Sequence, residues 1–267
     1  MSKAIKSNVV ENNELLDEIT ILKKKLKYKV LGTDLQLLEI TLRPGESVIG
    51  EAGAMTFMDS DIKYETIIGN GSDYGQGLLG KVLNAASRVL TKESLFVTKF
   101  MNISKSNRIA SFAAPYPGNI LDIDLSKYGN EIICQKDSFM CAESGTDLRI
   151  MLSKKIDFGC FGEGFILQKL SGEGHAFIHA GGTIIEKELD DSEIVVDTGS
   201  VVAFTKKLDY DIKLVRGIKS MMFAKEGLFL TSLRGTGTVW IQSLPFNRFA
   251  EKIARNISPS MISNKKG

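Results

Sequence analysis

Several groups of residues in this chain have types and spacings that could do chemistry. Val195-Val196-Asp197-Thr198-Gly199-Ser200 has the form of the aspartic-protease signature, two apolar residues followed by D-T-G-S. That chemistry needs two carboxylates sharing one proton, because like charges so close cannot both ionise. The corresponding stretches elsewhere read Glu51-Ala52-Gly53 and Lys136-Asp137-Ser138, so the chain holds no second D-T-G. A hydrolase using Asp197 is therefore a minor alternative. The preferred reading is a turn in which the Asp carboxylate bonds the backbone.

Gly75-Gln76-Gly77-Leu78-Leu79-Gly80-Lys81 follows the phosphate-binding G-x-x-x-x-G-K-[ST] pattern as far as the lysine. Val82 then stands where the magnesium-holding hydroxyl belongs, so a hinge feeding a helix is the better reading. The two histidines, His175 and His179, would share one face of a strand at a separation of roughly 13 Å. That is too far to chelate one metal directly, and both read as ordinary sheet-surface residues. Cys134, Cys141 and Cys160 form no C-x-x-C pair, so neither a disulfide framework nor a zinc site is expected. A reducing compartment fits this cysteine usage. No catalytic residue, metal ligand or cofactor is expected from any of these groups.

Composition narrows the partners. The 267 residues carry 34 Lys and Arg against 32 Asp and Glu, a net charge of +2. This balance lacks the basic footprint of a dedicated nucleic-acid binder, so DNA is excluded as a partner and RNA is disfavoured. The single tryptophan, Trp240, offers no platform for base stacking, and with Phe177 at a matching position it reads as core. Met1 to Asn8 lacks an apolar signal segment and no stretch approaches the roughly 20 apolar residues of a membrane span, so a cytoplasmic location is expected.

The elements that must position all these residues are repeated. Glu226-Gly227-Leu228-Phe229-Leu230 leads to Gly235-Thr236-Gly237, and Glu163-Gly164-Phe165-Ile166-Leu167 leads to Gly172-Glu173-Gly174. A looser copy, Glu93-Ser94-Leu95-Phe96-Val97, precedes both. The period of about 65 residues exceeds the roughly 20–50 of ordinary solenoids, so each unit is a small β-domain of several strands. Leu35–Leu42, the turn Arg43-Pro44-Gly45-Glu46 and Ser47–Met55 open the first unit. Ile120–Leu125 with Glu131–Met140, and Thr183–Leu189 with Glu193–Val202, restate it. A unit this small buries too little to be secure alone and leaves its edge strands open. Joining units edge to edge, within the chain and then between chains, answers both problems.

The expected organisation is an N-terminal extension at 1–26 with a short helix, a first β unit at 27–112, a second at 113–179, a third at 180–245, and a C-terminal helix and tail at 246–267. Phe246, Ala250, Ile253 and Ile257 keep helical spacing in that last segment. The first unit carries an insertion at 69–91, a glycine-rich loop followed by an apolar helical stripe. Leu78, Leu79, Val82, Leu83, Val89 and Leu90 on that stripe are the candidate interaction residues.

The E-G-[LF]-[FI]-L and G-x-G elements, Pro44-Gly45-Glu46 with Glu51-Ala52-Gly53-Ala54-Met55, Val196-Asp197-Thr198-Gly199, and the glycine loop before Leu78-Leu79-Gly80 form an ordered set. On these motifs the chain from about Lys27 to Gln242 resembles the altered-inheritance-of-mitochondria (number twenty-four) family. The resemblance implies an all-β fold with minor helices, built from three small β-sandwich units of the double-stranded β-helix type seen in the tryptophan RNA-binding attenuation protein (TRAP). It also implies a homotrimer forming a ring of nine such units. The family brings no enzymatic residues to carry over, and its mitochondrial members are tied to inner-membrane organisation. The function expected is a non-enzymatic, ring-forming scaffold, with a membrane surface as a further partner. The alternative is a TRAP-like regulator that binds RNA or a small molecule.

Overall fold

The computed structural model describes residues 25–51, 53–68, 96–151, 166–215 and 228–256. Their structure is β throughout, apart from short 3-10 turns and one terminal helix. The strands run β1 (Lys27–Leu31), β2 (Leu37–Leu42), β3 (Ser47–Glu51), β4 (Met55–Met58), β5 (Ile62–Ile68), β6 (Phe96–Asn102) and β7 (Arg108–Phe112). They continue as β8 (Asn119–Asp124), β9 (Glu131–Gln135), β10 (Phe139–Glu143), β11 (Asp147–Met151), β12 (Leu167–Ser171) and β13 (His175–Ala180). The last are β14 (Ile184–Asp197), β15 (Val201–Thr205), β16 (Asp209–Val215) and β17 (Leu228–Gln242), followed by helix α1 (Phe246–Asn256). The expectation of an all-β chain with minor helices is met.

Local chemistry explains the connections. Between β2 and β3, Glu46 N–H donates to the Arg43 carbonyl at 3.0 Å, and Gly45 takes φ +78°. Proline presets the second position of this turn and only glycine takes the third without strain. The Arg43 guanidinium then reaches the Glu46 carboxylate at 2.8 Å and the Lys25 carbonyl at 2.8 Å, tying the incoming chain to the turn. Alternation does the rest: β2 reads half-buried, buried, half-buried, buried along Leu37–Leu42, with Leu38, Ile40 and Leu42 on the core side.

The strands form three antiparallel sheets. The first has the order β1-β2-β7-β4, the second β5-β6-β3-β10-β13-β8, and the third β11-β12-β9-β15-β17-β14, with β16 also on β17. Two ladders link parts of the chain that are far apart in sequence. In one, β3 meets β10 with Gly50 opposite Cys141 and Ile49 opposite Ala142. In the other, β9 meets β15 with Cys134 opposite Ala203 and Ile133 opposite Phe204. One irregularity recurs: β4 on β7, β10 on β13 and β15 on β17 each shift register once, at Met55/Phe57, Phe139/Cys141 and Val201/Ala203. Such a bulge bends and twists its strand.

The core lies between the sheets and through both linking ladders. Ile49, Ile132, Cys134, Ala142, Ala203 and Trp240 belong to one buried cluster drawn from the second and third sheets' strands. Trp240 is 1% exposed, meets the Tyr128 ring edge-on at 5.1 Å, and donates its indole N–H to the Glu186 carboxylate at 3.0 Å. Phe177 is fully buried, so both large aromatics are core as expected. The histidines correct the reading from sequence. Both sit on β13, an inner strand whose six residues are all buried, and His175 and His179 are 4% and 3% exposed. They are not sheet-surface residues, because β13 is flanked by β10 and β8 and covered on both faces. The readings made for residues 1–24 and for the insertion at 69–91 lie outside the described residues.

Replacing Trp240 by Ala should cost about 3–5 kcal/mol, the usual range for deleting a buried aromatic. Urea denaturation followed by far-UV circular dichroism measures it.

Candidate functional site

Asp197 ends β14. Its Oδ1 accepts the Gly199 N–H at 3.0 Å and caps the 3-10 turn Thr198–Ser200, while Oδ2 takes the Arg248 guanidinium of α1. Both oxygens are held, so the D-T-G-S stretch is the backbone-bonding turn. Register assigns Asp197 two counterparts. Asp197 lies opposite Leu230, Gln135 opposite Leu167 and Glu51 opposite Val97, each closing a strand at the same place.

At the β3–β10 ladder, Glu51 at the end of β3 meets Lys136 and Asp137 in the 3-10 turn Lys136–Ser138 that leads into β10. Burial pushes the Glu51 carboxyl up to about 7, the Lys136 ammonium holds it back, and the Asp137 carboxylate pushes it further. Tyr116, on the connection from β7 to β8, is raised to about 12 by burial and by the negative charge of Asp137 and Glu51. Its ring stands edge-on to His179 at 4.5 Å and tilted against Phe246 of α1 at 4.8 Å. His179 is held down to about 4 by burial, so it is neutral at pH 7. Its Nδ1 is buried without a hydrogen-bond partner among the described residues. The backbone passes close by: a Cβ on Gly118 would stand 2.6 Å from His179 Nε2 and 2.1 Å from the Ala180 carbonyl oxygen.

The β9–β15 ladder adjoins the same region. Gln135, Asp137, Tyr116, Gly199, Gln242 and Phe246 line a cleft of about 20 Å³. That is room for one water molecule. Gln242 locks its wall, accepting the Gly181 N–H at 2.8 Å and donating to the Gly199 carbonyl at 2.8 Å. Asp137 and the amides of Gln135 and Gln242 face this cleft and can hydrogen-bond a water, while burial favours the protonated Glu51 carboxyl near the Asp137 charge. No group of three or more metal-ligating side chains is assembled among the described residues. Cys134 and Cys141 are buried free thiols, and burial pushes Cys134 up to about 12.

A second polar cluster fastens the first strand. Tyr28 of β1 donates its hydroxyl to Asp122, whose other oxygen meets His175 Nδ1 at 2.5 Å. The Tyr28 ring lies 4.8 Å from Phe177. Burial and the Asp122 carboxylate push the Tyr28 hydroxyl up. No local spacing in the sequence joins these residues. The same holds for Glu51, Tyr116 and Asp137: the sequence sets Glu51-Ala52-Gly53 against Lys136-Asp137-Ser138, whereas register equates Glu51 with Gln135, one residue earlier. Leu78, Leu79, Val82, Leu83, Val89 and Leu90, the interaction residues expected from sequence, lie outside the described residues.

Fold and joints together define a class: an all-β protein whose two larger antiparallel sheets each join strands from separate parts of the chain. The chain belongs to the family described as Mitochondrial biogenesis AIM24, which residues 28–244 match. The family expected from the motifs is thereby borne out. An uncharacterised protein of Streptococcus pyogenes serotype M6 is 30% identical over 227 residues, spanning 84% of this chain and 88% of that protein. The crystal structure of a Streptococcus pyogenes protein matches with a TM-score of 0.66 at 22% identity, over 87% of this chain and 100% of that one. At that identity the likeness establishes the fold. No described helix is long and apolar enough to cross a membrane.

Glu51 makes stability depend on pH. Its folded-state value of about 7 lies above its ordinary 4.5, so its contribution is fully present below 4.5 and is lost as pH rises through about 7. Glu51→Gln should therefore match the wild type near pH 5 and exceed it in stability near pH 8. Urea denaturation at both pH values checks this, and a gap independent of pH would show that Glu51 does not titrate as described.

Proposed function

We propose that this protein is a non-enzymatic scaffold that closes, edge to edge, into a homotrimeric ring of nine TRAP-like β units. One internal comparison carries the reading. Register sorts six strand segments into two sets of three equivalents: β3, β9 and the 192–197 half of β14 in the receiving position, and β10, β15 and β4 in the entering position. Within the chain β3 receives β10 and β9 receives β15. Among the described strands, that leaves the 192–197 half of β14 with β17 on one side only, and β4 with β7 on one side only.

Burial follows the same division. Ile49 and Ile133, at the received positions, are 1% and 4% exposed, whereas Val195 at the matching position is 58% exposed. Cys141 and Ala203, at the entering positions, are fully buried, whereas their counterpart Phe57 is 46% exposed. An open edge with apolar side chains is a template for another strand. Here the two open edges are unlike and complementary, which gives a head-to-tail contact that forms a ring if its rotation closes. Continuing the internal register places Phe57 of one copy opposite Val196 of the next, and Met58 opposite Val195. The cleft at the joints, at about 20 Å³, is far below the roughly 300–1,000 Å³ of small-molecule sites, so this cleft is a packing seam.

Light scattering on the purified protein should give three times the chain mass. Val195→Lys with Phe57→Lys should give folded monomers with an unchanged far-UV spectrum. A monomeric wild type would sink the reading.

A further inference from the structure

We infer that helix α1 of one copy clamps the entering strand β4 of the next copy, so that the joint between chains is built differently from the two inside the chain. This rests on the ring reading above. At each internal joint the last residue of the receiving strand lies beside the turn that precedes the entering strand. At the first, the Asp137 charge acts on the Glu51 carboxyl, and at the second Gln135 lines one cleft with Gly199. Asp197 holds that place on the open strand, and its carboxylate is already bound by Arg248 of α1. The helix is thus anchored at the point where the turn before β4 of the next copy would arrive. Gly53 in that turn is open: a Cβ built on it meets nothing within 4 Å.

The helix surface fits the same partner. Phe246, Phe249, Ala250 and Ile253 form an apolar stripe at i, i+3, i+4 and i+7, with Asn247, Arg248, Glu251 and Lys252 off it. Contact of Phe246 with the Tyr116 ring at 4.8 Å seats the first turn on the body of the protein. Two turns on, Ile253 is 46% exposed, and Phe246 itself is 46% exposed. The entering strand carries its own apolar exposure at Met55 (38%) and Phe57 (46%). One residue, Asp197, belongs both to the open strand and to the helix anchor, so a copy docking on that strand meets the helix at once. A second copy of this chain is therefore the occupant, rather than a lipid surface.

The test uses the full chain with Arg248→Asp and, separately, Ile253→Asp. Both side chains are exposed, so the monomer fold should survive, as thermal melts at high dilution would verify. Sedimentation velocity over a dilution series should show each variant dissociating at a protein concentration at least tenfold higher than the wild type, with Arg248→Lys close to wild type. If the wild type and both variants dissociate at the same concentration while Val195→Lys abolishes assembly, the clamp is overturned and the ring stands. Unchanged assembly with lost binding of Ile253→Asp to anionic phosphatidylglycerol vesicles would also overturn it, by making lipid the occupant. A monomeric wild type would overturn both readings.

Discussion

A strand at the edge of a sheet carries a row of backbone N–H and C=O groups that another strand, water or a covering element must satisfy. Much of this molecule follows from where those rows are met. The β3–β10 and β9–β15 ladders let strands that would be edges of small sheets become inner strands of six- and seven-stranded ones. With the backbone paired, side chains such as Ile49 and Ile133 lose their contact with water and join the core. A small sheet pair gains little from burial by itself. Linked sheets share one core and so stabilise each other.

Pairing also decides which polar groups end up inside. Inner strands bring Gln242, Asn102 and both histidines into the core, and buried polar groups need partners. Asn102 donates to the Leu42 and Ser106 carbonyls at 2.9 and 2.8 Å, and Gln242 bridges Gly181 and Gly199. His175 finds Asp122, which in turn receives Tyr28 and fixes β1 on the structure. Ser111, Thr146 and His179 are exceptions; His179 packs against Tyr116 and the Gly118 backbone with its Nδ1 unmet, and burial keeps it neutral. The same desolvation raises the Glu51 carboxyl to about 7 at the ladder where β3 meets β10. Electrostatics here is a consequence of the joints, and it concentrates where three connections (the turn before β10, the turn before β15 and the start of α1) come together.

Membership of the Mitochondrial biogenesis AIM24 family and the fold shared with a streptococcal protein place this arrangement in a wider group of chains. What distinguishes the surface is unevenness: most apolar strand positions are covered, yet Val195 on β14, Phe57 on β4 and Ile253 on α1 are exposed.

Much of the fold was legible from local rules. Period-two alternation marks β2, Pro44-Gly45 dictates its turn because only glycine takes the third position freely, and the spacing of Phe246, Ala250 and Ile253 marks α1. The D-T-G-S stretch could be recognised as a backbone-bonded turn, since an Asp carboxylate reaches the amide two residues on. These are interactions over a few residues, and a sequence states them directly. Which strand lies beside which depends on contacts across tens of residues, and only the tertiary structure decided it. That pairing buried His175 and His179, which alternation alone had put on a sheet surface. It also brought Glu51, Tyr116 and Asp137 into one electrostatic neighbourhood that no spacing announces. The physical reason is the same in each case: desolvation belongs to a position in the packed sheets, and that position is set by pairing rather than by neighbours along the chain.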